Sequence, residues 1–314
     1  MPTITTNYAG DVLNEIKGLL ATGNETVERG LVNVIDQIRY KTAIPRIQVN
    51  NLIGPRAANP SASLGTITVD ERYLTPTDAM LYQRFNPRNF ESFWRPWQPE
   101  GQLVFRELPS DVQIRFLEEF VKYQRTWVGR NLWQGDTGGA AVAPYNNLVD
   151  GLVTRAKADA DVIDVAGAVA LTTAALTKAA FESVYDLVPA EVKNNPNFRF
   201  FASDATCELY TDAVHDQTNK GNDFTMGAPL FYKGKPIERL VGFPDNTIMA
   251  THSSADQSSN LHIGIDWDMD SINAGNEAIK VERFRPDSEQ YFVRIDFKLD
   301  TQIAFGEEVV LYSV

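Results

Sequence analysis

The most constraining feature of this 314-residue sequence is a stretch of about sixty residues, 45–107, that is rich in proline and turn-forming residues. Connections inside compact domains are mostly ~4 to 6 residues long, so a simple loop of this length is not expected. Short strand patterns occur at Leu64–Val69 and Gln102–Arg106. The sequence therefore predicts an extended hairpin that projects from the body of the molecule.

The same stretch is rich in aromatic residues, which a projecting hairpin has little core of its own to bury. Exposed aromatic side chains are costly, and aromatic residues and arginine are enriched at protein interfaces. We therefore predict contacts with a neighbouring subunit by six of them: Tyr82, Phe85, Phe90, Phe93, Trp94 and Trp97. Packing of any one of them against its own chain is the alternative.

The residues before this stretch have apolar side chains at helical spacing. Two short amphipathic helices are predicted, at residues 9–20 and 25–41, separated by a Gly23-Asn24 break. Their apolar faces need a partner, so Leu31 and Ile35 join the residues expected to contact a neighbouring subunit.

The strongest helix signal follows, over residues 111–133. Ser110 and Gln113 form a capping-box pattern at its start, and Gly135 offers a stop. About 22 residues at 1.5 Å each span roughly 33 Å. Such a helix can organise a flat molecule.

The remainder of the chain predicts an α+β arrangement. After the flexible stretch GDTGGAAVAP, a helix is expected at Leu171–Leu187 and a buried strand at Phe198–Ala202. Ser203 is expected to cap a second helix. Strands alternating with turns, including AIKVERF and QYFVRIDFKL, complete the pattern.

Composition excludes several kinds of site. One cysteine, Cys207, cannot form an intrachain disulfide, and three scattered histidines cannot complete a Cys/His zinc site. No signal peptide or membrane-length apolar run is present, and the sequence motifs of hydrolases, nucleotide-binding loops and zinc proteases are absent. We therefore expect neither an enzyme nor a bound cofactor or metal.

Net charge is −12, and residues 151–314 carry most of it, with 25 acidic against 14 basic residues. An acidic surface repels phosphate backbones, so sequence-specific reading of nucleic acid is not expected.

Two local patterns imitate binding sites. Asp266, Asp268, Asp270 and Glu277 have the acidic spacing of a calcium loop, but Ser271 stands where that loop needs glycine, and strands flank it. An acidic loop between strands is preferred there. The arginine and aromatic residues of the segment RFNPRNFESFWRPW could stack on single-stranded bases. Contact with another subunit is the preferred interpretation, because the prolines restrict the backbone of this segment.

The order of these elements resembles the Hong Kong 97-type family of major capsid proteins of tailed bacteriophages. The local segments GDTGGAAVAPYNNLVDGL, FRFFAS, APLFYKGKPI and VGFPDNTIMA are similar to the family's joint, outer-domain strand, hairpin and late-strand segments. The resemblance covers essentially the whole chain.

The resemblance implies an α+β fold with an N-arm at 1–44, an extended E-loop hairpin at 45–107 and a long spine helix with the first part of the P-domain at 108–164. The A-domain would occupy 165–270, and P-domain strands with a C-terminal return to the A-domain would occupy 271–314. It also implies hexamers and pentamers that close into an icosahedral shell holding double-stranded DNA.

The implied partners are other copies of the chain, portal protein, scaffolding or decoration proteins, and packaged DNA contacted non-specifically, without a membrane. The implied location is the virion, after assembly in the host cytoplasm.

Two departures from the family pattern sharpen these expectations. The arm begins almost at once, so scaffolding would come from a separate protein, or the chain is already mature. No lysine lies between Pro45 and Phe105, so we expect no E-loop isopeptide bond. The rival functions are an encapsulin-like cellular compartment with the same fold and a binding or enzymatic domain with an unrecognised site.

Overall fold

The computed structural model describes residues 5–7, 25–38, 40–50, 53–54, 56, 65–96, 100, 110–140, 146–215, 230–266, 279–285 and 290–314. The helices, in chain order, are α1 Glu25–Glu28, α2 Glu91–Trp94, α3 Ser110–Gln134, α4 Leu152–Ala158, α5 Ala174–Leu187, α6 Ala190–Asn194 and α7 Asp204–His215. The strands are β1 Thr5–Asn7, β2 Asn33–Ile35, β3 Thr42–Asn50, β4 Thr66–Leu74, β5 Thr77–Phe85, β6 Ile163–Asp164, β7 Phe198–Ser203, β8 Leu230–Tyr232, β9 Lys235–Leu240, β10 Ile248–His252, β11 Leu261–Asp266, β12 Ile279–Arg283, β13 Tyr291–Ile303 and β14 Val310–Tyr312. Short 3-10 turns lie at Pro87–Phe90 and Gly306–Glu308. Within these ranges no helix is long and apolar enough to cross a membrane.

The first sheet is organised by the thirteen-residue strand β13. On one side β13 pairs with β12 and then β11, and on its other side it pairs with β5 over Thr77–Phe85, all antiparallel. Strands β1 and β2 extend the sheet beyond β12 and β11. Residues of β13 alternate between buried and less buried over its first half, the pattern of a sheet with one face on the core.

The second sheet has the order β6-β14-β10-β7-β9-β8. Strands β10 and β14 are buried along their whole length, and α5 and α7 cover an aromatic core that contains Phe181, Phe200 and Tyr210. The predicted strand at Phe198–Ala202 and helix at Leu171–Leu187 are confirmed with small shifts of their ends. The Ser203 hydroxyl accepts a hydrogen bond from the Thr206 N–H at 3.2 Å, which confirms the predicted cap.

Helix α3 joins the two sheets and confirms the strongest sequence prediction. Its 25 residues span about 38 Å at 1.5 Å per residue. It ends where Gly135 lies so close to the chain that an added Cβ would meet the Val149 carbonyl oxygen at 2.2 Å. Near that end, Trp133 is fully buried and packs on Phe201 and Phe243 of the second sheet's region. The glycine stop is therefore a packing requirement.

The predicted helix at 25–41 is wrong. Only Glu25–Glu28 is helical, Gly30 turns the chain at φ +63°, and Asn33–Ile35 is a strand parallel to β11. Leu31 and Val32 are buried in the core that the first sheet shares with α3. The apolar spacing fits a short strand as well as a helix, and the free edge of β11 decides between them. The other predicted arm helix, 9–20, lies outside the described residues.

The predicted hairpin exists, and the expected strand at Leu64–Val69 overlaps β4, but the partner of β4 is β3. Strand β3 pairs antiparallel with β4 from Thr42↔Leu74 to Asn50↔Thr66. The expected boundary between arm and hairpin at residue 44 therefore falls inside β3. After β4 the chain returns at once to the first sheet as β5, so 77–85 belongs to the body. The expected strand at 102–106 lies outside the described residues.

Candidate functional site

The outer part of the β3–β4 hairpin exposes one apolar face. Ile47 lies opposite Val69, and Val49 lies opposite Ile67, so alternation along both strands places all four side chains on the same face. They are 53 to 67% exposed. We call these four residues the hairpin face. Four β-branched side chains left in water on a two-stranded ribbon are typical of a surface that another protein covers.

The opposite face of the hairpin packs on the body at its base. Ile44 and Leu74 are buried there, together with Ile38 and Ala304. The base is thus fixed by apolar contacts, while the outer part projects.

Arginine residues of the hairpin extend this anchorage. Arg72 on β4 donates hydrogen bonds to the carboxylates of Asp159 and Asp161, the latter at 3.3 Å. Burial acts to raise the pKa of Asp159, but the hydrogen bonds from the Arg72 guanidinium and the Asp161 N–H, together with the positive charges of Arg72 and Arg46, outweigh it and hold that pKa below its usual value. Asp159 therefore stays ionised and holds the hairpin.

Arg46 on β3 is almost fully buried beside the 3-10 turn at 306–308. Its guanidinium lies 3.9 Å from the Glu307 carboxylate and 5.2 Å from the centre of the Phe305 ring. Gln48 also donates to Glu307. Together, Arg46 and Arg72 tie both hairpin strands to separate segments of the body.

A buried ion pair holds the turn between β4 and β5. The Asp300 carboxylate, on β13, accepts from Arg155 at 2.6 Å and from the Thr75 N–H at 2.6 Å. Burial raises the pKa of Asp300, and Arg155 opposes that rise. The start of β5 is therefore fixed relative to α4 and β13.

The predicted contact residues are distributed between surface and core. Tyr82 on β5 is partly exposed, whereas Phe85 is buried against Phe116 and Tyr291, at ring distances of 5.0 and 6.0 Å. Leu31 is fully buried within its own chain.

Ile35 is partly buried beside the hairpin base. The side chains of Phe90, Phe93 and Trp94 and the whole of Trp97 lie outside the described residues. For Phe85 and Leu31, packing within the chain accounts for the side chain without a neighbour.

The hairpin face is not among the contact residues predicted from the sequence, since those within 45–107 are all aromatic. The available signal was the alternation of apolar and polar residues in Ile47-Gln48-Val49 and Ile67-Thr68-Val69 without any charge on the apolar side. Such alternation predicts a strand with one apolar face, but it does not say that the face is left uncovered.

A cavity of about 530 Å³ lies between α3 and β5. Its walls are mainly apolar and aromatic, and they include Met80, Phe120, Tyr123 and Trp127. Gln124 of α3 also lines it and is 3% exposed. We call this cavity the α3–β5 groove.

The described residues give no support for a calcium site at the acidic spacing that begins with Asp266, or for a nucleic-acid site in the segment RFNPRNFESFWRPW. Asp266 lies at the end of β11, 3.8 Å from Lys298, and the other three acidic residues of that pattern lie outside the described residues. Across the described ranges, no group of three metal-ligating side chains occurs. In the arginine and aromatic segment, Arg84 stacks on Phe284 at 3.7 Å and Arg95 pairs with Glu91 at 2.7 Å, so both are engaged within the chain.

The buried titratable side chains are packed as core residues. Burial raises the pKa of the Cys207 thiol to about 12, which leaves it protonated and unreactive at neutral pH. Burial lowers the pKa of His262 to about 4, so the ring is neutral, and its Nδ1 accepts a hydrogen bond from the Asn33 amide at 3.0 Å. That bond links β2 to β11.

Solved structures of viral shells share this fold. A subunit of the cyanophage A-1(L) capsid is similar with a TM-score of 0.57 and 15% identity, over 99% of this chain and 95% of that one. A chain from the satellite phage P4 procapsid with its size determination (Sid) protein gives 0.56 and 11%, over 95% and 97%. Gordonia phage Cozz gives 0.55 and 12%, over 92% and 86%.

No family model matches the sequence, and no curated protein matches it. The structural likeness nevertheless extends over nearly the whole chain. It shows that the chain has the Hong Kong 97-type capsid fold, with a mixed α/β composition.

Proposed function

We propose that this chain, which has the Hong Kong 97-type fold, is the major capsid protein of a tailed bacteriophage. Its copies would form the hexamers and pentamers of an icosahedral shell around double-stranded DNA. The observation that carries the proposal is the hairpin face, an uncovered apolar surface on a projecting ribbon with an anchored base. A contact made by every copy on its neighbour multiplies over a closed symmetric shell.

The proposed domains follow the order of the expected scheme with shifted boundaries, since β5 and β11 both belong to the first sheet. The β3–β4 hairpin supplies the E-loop, α3 the spine helix, the first sheet the P-domain and the second sheet the A-domain. Residues 25–38 pack into their own subunit, so we assign the arm that reaches a neighbour to residues before Glu25. The residues that remain proposed contact residues are Tyr82, Ile35, Phe90, Phe93, Trp94 and Trp97.

The proposed partners are other copies of the chain, a portal, scaffolding or decoration proteins, and the packaged DNA. A formal net charge of −12 supports loose, non-specific contact with DNA in place of tight binding. In this scheme the chain is structural and not an enzyme.

Electron microscopy of the expressed chain tests the proposal. Closed shells are expected, and shells purified from lysates of a phage-producing host should contain nuclease-protected double-stranded DNA. Shells that enclose a protein cargo and no DNA would favour an encapsulin-like compartment. We expect no isopeptide cross-link from an E-loop lysine. A ladder of subunit multiples on SDS gels of boiled particles would contradict this expectation.

A further inference from the structure

The α3–β5 groove has the size and the walls of a small-molecule site. Its volume of about 530 Å³ lies within the ~300–1,000 Å³ that such sites occupy. Phe120, Tyr123 and Trp127 line it from α3, and Tyr82 and Phe297 line it from the first sheet. Aromatic walls on two sides favour an occupant with a flat apolar body, because rings pack well on other rings.

The charge of the groove excludes an ionised occupant. Among the described residues that line it, Glu119 is the one charged side chain, and none is basic. An anion would therefore lose its hydration without gaining a counter-charge. Glu119 is exposed, so water and salt screen its attraction for a cation. A neutral molecule fits these walls.

Gln124 of α3 adds a polar requirement. Its side chain borders the groove and is 3% exposed, and neither its amide oxygen nor its amide nitrogen has a hydrogen-bond partner among the described residues. Buried polar groups are nearly always paired, because an unpaired one loses its hydration without compensation. Turning the amide into the groove breaks no hydrogen bond. An occupant that pairs with it therefore gains affinity without that cost.

The occupant must offer Gln124 both a donor and an acceptor. A primary carboxamide has an acceptor oxygen and a donor N–H side by side, so two carboxamides pair through two parallel N–H···O hydrogen bonds. A ketone or an ester pairs with the amide nitrogen of Gln124 alone and leaves its oxygen without a donor. The head group that meets both atoms is therefore a second carboxamide.

We propose that the α3–β5 groove is a binding site for a small neutral molecule that joins an aromatic body to a primary carboxamide. The body lies between α3 and β5, and the carboxamide pairs with Gln124. This inference goes beyond the proposed function, because a single copy of the chain supplies the whole site.

Three naphthalene derivatives of nearly equal shape test the proposal. They carry a carboxamide, a methyl ketone or a carboxylate on the same ring carbon. Each is titrated into the unassembled chain, whose methionine methyl groups are isotope-labelled, and the methyl NMR signals are followed. Met80 lines the groove, so its signal should shift, whereas the signal of Met249, which is fully buried in the core, should not.

The three head groups should give different affinities. The carboxamide should bind about tenfold more tightly than the ketone, because only the carboxamide satisfies both amide atoms of Gln124. The carboxylate should not bind measurably. Equal affinity of the carboxamide and the ketone, or binding of the carboxylate as tight as that of the carboxamide, would overturn the proposal.

A matched pair of variants assigns the preference to one side chain. Gln124→Leu removes the amide from the groove, so the carboxamide and the ketone should bind this variant equally. Gln134→Leu makes the same substitution on the same helix outside the groove, where the amide donates to the Gly242 carbonyl oxygen, and should keep the tenfold preference. A preference that persists in Gln124→Leu would contradict the pairing.

The wild-type titrations decide the proposal even where Gln124→Leu does not fold. A Met80 signal that none of the three compounds shifts would show that the groove is not a site. All of these measurements use unassembled chains, so their outcome is separate from the question of whether copies form shells.

Discussion

Making the hairpin face polar should weaken assembly without unfolding the subunit. The perturbation is the double variant Ile67→Thr and Val69→Thr, which keeps both positions β-branched and so preserves their preference for a strand. Both side chains are more than 60% exposed, so the folded subunit loses little contact. Substitutions at such positions change the free energy of unfolding by roughly 0.5 kcal/mol or less each.

The cost appears when a neighbour covers the face. Taking a hydroxyl out of water without a partner costs ~1–3 kcal/mol in proteins. Two substitutions therefore weaken each intersubunit contact by about 2–6 kcal/mol. At 1.4 kcal/mol per factor of ten, this is a contact weaker by at least about 30-fold and by up to roughly 20,000-fold.

Light scattering against protein concentration measures the effect, and denaturant unfolding of the unassembled subunit supplies the stability. We expect a threshold for assembly that rises by at least an order of magnitude and an unfolding midpoint close to that of wild type. Val241→Thr, at an 81% exposed position outside the hairpin, is the matched control and should change neither. An unchanged threshold in the double variant would refute the assignment of the hairpin face to a subunit contact.

Three further substitutions test the interior. Asp300→Ala removes the partner of Arg155 and of the Thr75 N–H, and should lower the free energy of unfolding of the subunit by ~3 kcal/mol in chemical denaturation; a loss below 1 kcal/mol would show that the pair is not needed. Gly242→Ala places a Cβ 2.4 Å from the Gly129 carbonyl oxygen, and should destabilise the contact between α3 and the second sheet by ~1–3 kcal/mol, read from the same unfolding curves. His262 has a folded-state pKa of about 4 against an ordinary 6.5, so the unfolded chain binds more protons between these values and stability falls as pH drops from 6.5 to 4. The loss for the wild-type chain should reach about 3 kcal/mol at pH 4, and the free energy of unfolding of His262→Gln should not show it. Equal pH dependence in both proteins would contradict this prediction.

Local sequence signals predicted the elements whose stability is local. Helix α3 and its glycine stop lie within one stretch of sequence, and the structure confirms a helix over Ser110–Gln134 that ends before Gly135. The strand that begins at Phe198 and the Ser203 cap are predictable for the same reason.

Elements decided by distant partners were not predictable in this way. Asn33–Ile35 is a strand because β11, more than two hundred residues away, offers it an edge and a hydrogen bond from Asn33 to His262. Phe85 was expected at a subunit contact, and its burial depends on Phe116 and Tyr291, which the spacing around residue 85 does not reveal. The hairpin face shows the converse. Its alternation of apolar and polar residues is visible in the sequence, but the sequence does not show that no other part of the chain covers the apolar side.

Electron microscopy and size-exclusion chromatography of the purified chain over a range of concentrations show whether its copies close into a shell. We expect free subunits below a threshold concentration and, above it, closed shells built from rings of five and six subunits. A monodisperse 35.0 kDa species at every concentration, without particles in micrographs, would contradict it.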